Sequence, residues 1–166
     1  MAWAFGIVLL GDRLMAINVA RKVLFLCTGN SARSIMAEAY VNAVGKGQWR
    51  AFSAGSKPDG RVHPLALVAL AEVDLRSESV RSKSWEDFSR PDAPMMDVVI
   101  TVCETSADET CPLWPGSPRT LHWPIPDPTV ADGTIEDRMA TFRGVFDLIR
   151  KTVDGFLVEE AMAPRE

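Results

Sequence analysis

One short run constrains this chain more than any other: Val23-Leu24-Phe25-Leu26-Cys27-Thr28-Gly29-Asn30-Ser31-Ala32-Arg33-Ser34. Lys22 to Leu26 reads as a buried parallel strand, because it is short, apolar and followed by a turn. A helix is expected over Arg33 to Val44, with Met36, Ala37, Tyr40, Val41 and Val44 on one face and Gly45 closing it. The turn between them offers several backbone N–H groups to one point in space, and the helix N-terminus adds a partial positive charge there. Gly29 and Asn30 are residue types that tolerate the left-handed backbone such a cradle requires. An oxyanion held by Thr28, Gly29, Asn30, Ser31, Ala32, Arg33 and Ser34 would lie beside the Cys27 sulfur, with Arg33 able to clasp two of its oxygens. The same field favours thiolate over thiol, so Cys27 is expected to be ionised at neutral pH, with Ser34 able to donate to it. These residues predict covalent attack by sulfur on a tetrahedral oxyanion. No Gly-Lys-Ser/Thr follows the turn, so this is not a nucleotide-binding P-loop.

The rest of the chain alternates strands and helices. Arg50 to Ala54 is the second strand. Pro64 suits a helix first turn, continued by Leu65, Val68, Ala69 and Val73. Ser84 with Asp87 reads as a capping box for one short helix. Asp97 to Cys103 is a further buried strand. Six of the eleven prolines fall between Pro112 and Pro128, which excludes a long helix there and leaves Thr120 to Trp123 as one brief strand. Thr134 and Asp137 cap a long final helix with the core stripe Ile135, Met139, Phe142, Phe146, Ile149, Val153 and Phe156. The expectation is a three-layer α/β/α domain around a central four-stranded parallel sheet. Residues 19–166 form it, and residues 1–18 are an appendage, either a start assigned upstream of Met15 or a small extra helix.

Ligands of such sheets bind beyond the carboxyl ends of the strands. Cys27 ends the first strand, Cys103 ends the third, and Asp127 lies in the loop after the fourth, so all three gather on one edge. Asp127 is flanked by Pro126 and Pro128, which stiffen the loop and suit an aimed side chain. A carboxyl near a leaving oxygen can serve as general acid. The chain has three cysteines, an odd count that argues against a secreted disulfide scaffold. A structural zinc site is not expected either, since there is no Cys-x2-Cys and only His63 and His122 could add ligands. One nucleophile plus a redox pair uses all three thiols and fits a reducing cytoplasm. Cys103 could reach an adduct on Cys27, and Cys111 could then attack Cys103 if the intervening loop rearranges.

Net charge is −4 with no basic run, so nucleic acid and anionic membranes are poor partners. The apolar stretch from Ala2 to Leu10 is too short to span a bilayer. His63 and His122 read as structural, and Trp49, Trp85 and Trp123 as packing residues. Trp114, in a proline-rich loop, is expected to face a partner.

These segments together resemble the low-molecular-weight tyrosine phosphatase superfamily, and more narrowly its thioredoxin-coupled arsenate reductases. The residues that carry the resemblance are Cys27 to Ser34 with Met36-Ala37-Glu38-Ala39, then Ser53 to Pro58 with Gly60, Val62 and Pro64. Val99 to Cys103 with Cys111-Pro112, and His122-Trp123 with Pro126-Asp127-Pro128, continue it in the same order. Three positions depart from the pattern. Thr129 stands where the phosphatases usually carry an aromatic residue, Ile35 replaces a Pro after the Arg-Ser pair, and Ala32 replaces a Cys found in some reductases. The first two weaken a phosphotyrosine reading. The resemblance implies a relay: Cys27 attacks arsenate, Asp127 protonates the departing oxygen, Cys103 attacks Cys27 to release arsenite, and Cys111 attacks Cys103. It implies reduction of the final disulfide by thioredoxin or a similar dithiol protein, no metal or organic cofactor, and phosphate as a competing oxyanion. Asn30, Ser34 and Ser53 are expected to support the loop. The alternative function is hydrolysis of phosphotyrosine or other phosphomonoesters through a phosphocysteine.

Overall fold

The structure is a computed structural model. It describes residues 19–75, 77–103 and 112–164, and residues 7–9 and 14–16 by their backbone alone. Cys111, and with it the second half of the expected relay, lies outside the described residues. The backbone of Ile7–Leu9 (β1) pairs antiparallel with Leu14–Ala16 (β2), where a small helix was one of the two alternatives.

The main sheet has four parallel strands in the order β4-β3-β5-β6. They are Arg21–Cys27 (β3), Trp49–Gly55 (β4), Val98–Thr101 (β5) and Arg119–His122 (β6). The register aligns Cys27 with Gly55, Leu26 with Thr101, and Thr101 with His122, so all four strands finish at the same edge. The last strand begins one residue earlier than expected. Trp123 still donates its N–H to the Thr101 carbonyl at 2.8 Å, extending the ladder past the strand.

Alternation along β3 divides the core. Val23, Phe25 and Cys27 face the larger cluster, while Leu24 and Leu26 face the smaller one. The helices Arg33–Val44 (α1), Pro64–Ala71 (α2) and Ile135–Met162 (α4) contribute to the larger cluster. Along α4 the buried stripe runs Met139, Phe142, Val145, Phe146, Ile149, Val153 and Phe156, each worth roughly 1.5–3 kcal/mol when fully buried. Ile135, expected at the head of that stripe, is 62% exposed because it occupies the first turn beyond the sheet. The other face is thin. It holds the single-turn helix Glu86–Ser89 (α3) and a cluster of Leu24, Leu26, Ala54, Phe88, Met96 and Val99. The three layers are therefore present but unequal.

Local chemistry sets the helix starts. Thr134 and Asp137 form the expected reciprocal capping box of α4. His63 caps α2, its Nδ1 accepting from the Leu65 N–H at 3.1 Å while its ring stacks on Phe142, and Pro64 fills the first position. Ser84 and Asp87 do not form a box. The Ser84 hydroxyl accepts from the Glu86 N–H, and the Asp87 N–H goes to the Ser84 carbonyl. Residues 83–85 instead bridge the edge of β4: the Gly55 N–H donates to the Lys83 carbonyl at 2.9 Å and the Trp85 N–H to the Gly55 carbonyl at 3.0 Å. Trp114 packs edge-on against Trp85 and joins the thin layer as a partly buried residue.

Candidate active site

The loop between β3 and α1 lines a cavity of about 560 Å³ together with Lys57, Asp59, Cys103, Asp127, Thr129 and Val130. Asn30 takes the left-handed conformation at φ +45°, and its side chain shows why Asn is suited to that place. Its Oδ1 accepts the Lys83 N–H at 2.7 Å, and its Nδ2 donates to the Ser34 Oγ at 2.8 Å. With its acceptor site filled by Asn30, the Ser34 hydroxyl turns its proton to the Cys27 sulfur 2.8 Å away. The Asn30 backbone N–H reaches the same sulfur at 3.1 Å. Asn30 and Ser34 thus support the loop as expected. Ala32 precedes α1 with no side-chain cap, which leaves the first-turn amides to the loop.

Ser53 has a different partner. It is fully buried on β4, and its hydroxyl donates to the Glu38 carboxylate of α1. Lys83 Nζ lies 3.4 Å from the same carboxylate. Burial pushes the Glu38 carboxyl up from its ordinary range against the opposing pull of Lys83 and Ser53. The cluster braces α1, β4 and the 83–85 segment beneath the loop. Lys83 and Glu38 carried no signal in the sequence, since their pairing spans 45 positions. Their residue types in isolation read as a solvated pair.

Cys103 lies two residues beyond β5 and is buried. The Thr28 N–H donates to its sulfur at 3.2 Å. Cys27 and Cys103 are both free thiols lining the one cavity. The neighbouring Cys27 brings the Cys103 thiol down to about 6, assisted against burial by the Arg33 charge and the Thr28 donors. Cys103, with burial, pushes the Cys27 thiol up, although the Ser34 hydroxyl pulls the other way.

Arg33 and Asp127 are also together. Arg33 Nη2 lies 3.1 Å from Asp127 Oδ2, and Nη1 donates to the Ile125 carbonyl at 3.1 Å. The other Asp127 oxygen accepts from the Thr129 N–H at 3.0 Å and its hydroxyl at 2.7 Å. The short 3-10 turn Pro128–Val130 that follows is thus aimed by Asp127 itself. The guanidinium is turned to the acid loop, and clasping an oxyanion requires it to exchange this partner. Among the described residues no cluster of His, Cys, Asp and Glu has the makings of a metal site. Among them, too, no helix is long and apolar enough to cross a membrane.

The sequence reading thus brought together Cys27, Arg33, Asp127 and Cys103, and the structure assembles all four around one cavity. It missed Lys57 and Asp59. The Lys57 N–H donates to the Thr28 carbonyl at 3.0 Å and the Asp59 N–H to the Gly29 carbonyl at 2.8 Å, which lays their segment alongside the anion loop. The Lys57-Pro58-Asp59-Gly60 composition signals only a turn.

Comparison with known proteins gives the following. Residues 22–164 match the low molecular weight phosphotyrosine protein phosphatase family. An arsenate reductase of Halalkalibacterium halodurans is 35% identical over 134 residues, which is 81% of this chain and 93% of the relative. One from Bacillus subtilis is likewise 35% identical over 134 residues, with the same coverage. A solved structure of an arsenate reductase in the phosphate-binding state superimposes with a TM-score of 0.69 at 28% identity, covering 84% of this chain and 98% of the other.

Proposed function

The chain belongs to the low molecular weight phosphotyrosine protein phosphatase family, and from that premise we propose that it is an arsenate reductase. The observation that carries the reading is that two free thiols, Cys27 and Cys103, line one oxyanion cradle, with the Thr28 N–H of the loop donating to the Cys103 sulfur. Phosphomonoester hydrolysis needs the first sulfur alone, whereas release of arsenite needs both. The relatives named arsenate reductases support the same choice.

Arsenate enters the loop of residues 28–33, and its charge draws Arg33 away from Asp127. That leaves Asp127 facing the departing oxygen as the acid. Cys27 Sγ attacks arsenic. One S–As bond forms, one As–O bond breaks, and the departing oxygen takes a proton from Asp127. The Cys27 thiol proton makes good that loss, so water leaves and the charge on Cys103 is unchanged. The Cys103 thiolate then attacks Cys27 Sγ. The S–As bond breaks with its electron pair left on arsenic, which falls from As(V) to As(III), while two thiol sulfurs become one disulfide. Cys111 attacks Cys103 next and frees Cys27. The resulting Cys103–Cys111 disulfide is reduced by thioredoxin or a similar dithiol protein. The reaction runs in the cytoplasm, in a catalytic domain of residues 19–166 with residues 1–18 as an appendage.

The test compares wild type and Cys103→Ser in two assays: NADPH consumption with arsenate, thioredoxin and thioredoxin reductase, and hydrolysis of an aryl phosphate. Reductase chemistry requires that Cys103→Ser stop NADPH consumption yet spare ester cleavage. Efficient ester cleavage by both proteins with no NADPH consumption by either would replace this reading with the phosphatase one.

A further inference from the structure

The oxyanion cavity contains an acid that the relay does not use. Asp59 lines it beside Arg33 and Lys57, and its carboxylate lies against the anion loop. A Cβ built on Gly29 would stand 2.7 Å from Asp59 Oδ2 and 3.2 Å from Asp59 Cγ. The position is built by the backbone on both sides. The Asp59 N–H donates to the Gly29 carbonyl at 2.8 Å, and the next N–H, of Gly60, donates to the Ser82 Oγ at 3.1 Å. The Ser82 hydroxyl returns to the Gly29 carbonyl at 3.4 Å, and Gly60 takes a positive φ of 79° that turns the chain away after Asp59.

A carboxylate beside an anion site can only accept hydrogen bonds. It repels an anion that has no proton to give and is satisfied by one that has. Arsenate and phosphate keep at least one hydroxyl at neutral pH, whereas sulfate is fully ionised. The three have the same tetrahedral shape, so amides and Arg33 alone discriminate among them poorly. We propose that Asp59 is a specificity-determining residue that accepts a hydrogen bond from the hydroxyl of a protonated oxyanion and thereby excludes sulfate. A site built to pair with a ligand hydroxyl disfavours the analogue lacking it, because the site's polar group is then left facing an unmatched charge. Asp127 does not duplicate this role, since one of its oxygens is engaged by Thr129 and the other is the one that gives its proton to the departing oxygen.

The inference rests on the cavity being the arsenate site, but its test does not need turnover. Protection of the cavity thiols from iodoacetamide, with Cys27 and Cys103 read separately by mass analysis, is measured against phosphate and sulfate at pH 8, where both are dianions and differ in the proton alone. Wild type is protected by phosphate at concentrations where sulfate has no effect. In Asp59→Asn the amide can donate to sulfate or accept from phosphate, so half-protection by sulfate should move about ten-fold lower while that by phosphate stays within about three-fold. Asp59→Ala, which removes the group outright, should lower the sulfate value likewise. Lys57→Met serves as the charge control and should weaken both anions equally. Equal shifts for phosphate and sulfate in the Asp59 variants would mean simple repulsion and would overturn the proposal, as would no shift in either. If wild type fails to reduce arsenate yet shows the phosphate preference and loses it in Asp59→Asn, the reductase reading falls and the role of Asp59 stands.

Discussion

The Thr28 N–H donates to the Cys103 sulfur at 3.2 Å, so the first amide of the anion loop holds the second thiol of the relay. The loop and the end of β5 are thereby joined through sulfur, and the thiols proposed for the first and second attacks line one cavity.

This arrangement makes Cys103 sensitive to acid in the ligand-free protein. Cys103 is lowered to about 6 from an ordinary value of 9.0, first by the neighbouring Cys27 thiol. A lowered thiol is thiolate above that pH and thiol below it. The rate of Cys103 alkylation by iodoacetamide without ligand, followed by quenching and mass analysis, should rise through about pH 6 and level off above pH 7. A midpoint near 9 would show that Cys103 is an ordinary thiol.

Asp127 has two functions that substitution can separate. Asp127→Asn removes the acid and should lower kcat by about 10²–10⁴-fold. It also removes the carboxylate that Arg33 must leave, so the inhibition constant of phosphate should stay level or tighten. Steady-state kinetics with phosphate as competitor reads both. Weaker phosphate binding with unchanged kcat would contradict the role assigned to it.

Asn30 contributes its backbone conformation and its side chain, and two variants divide them. Asn30→Ala leaves the Lys83 N–H and the Ser34 hydroxyl without this partner and keeps a Cβ at φ +45°. The expected loss is about 3 kcal/mol in urea unfolding. Asn30→Gly loses the same hydrogen bonds but relaxes the backbone, so it should be about 1 kcal/mol less damaging. Identical losses would mean that the left-handed conformation carries no strain here.

Gly55 ends β4 against the loop. A Cβ there would meet the Thr28 carbonyl at 2.4 Å and the Asn30 backbone nitrogen at 3.1 Å, both main-chain atoms that cannot swing aside. Gly55→Ala should cost about 1–3 kcal/mol and raise the KM for arsenate by displacing the cradle. Thermal unfolding and initial rates check this, and wild-type values in both would show that the two backbones have room to part.

The strand, turn and helix around Cys27 were legible because every interaction that defines them is local: apolar residues in one run, a turn of small residues, and Arg33 at the helix start. The same is true of the Thr134–Asp137 box and of Pro64 at the head of α2. Asp127 could be read from its flanking prolines, and Cys103 from its place at the end of an apolar strand. Ser84 and Asp87 had the spacing of a box, but pairing of residues 83–85 with the edge of β4 took the backbone elsewhere. Ser53 could be read as a buried hydroxyl but not as the partner of Glu38. The packing of Trp114 against Trp85 was not legible, because a proline-rich loop gives no sign of the indole it will meet.

The sequence by itself determined the parallel sheet, the edge at which Cys27, Cys103 and Asp127 converge, and the chemistry of thiol against oxyanion, since periodicity and residue type act within a few positions. Tertiary structure alone decided how the two thiols tune one another. Cys27 and Cys103 are 76 positions apart, and the shift of each depends on groups such as Thr28, Ser34 and Arg33 that surround them once the strands are side by side. Electrostatic energies depend on distance and burial in space, and no local pattern of residues encodes either.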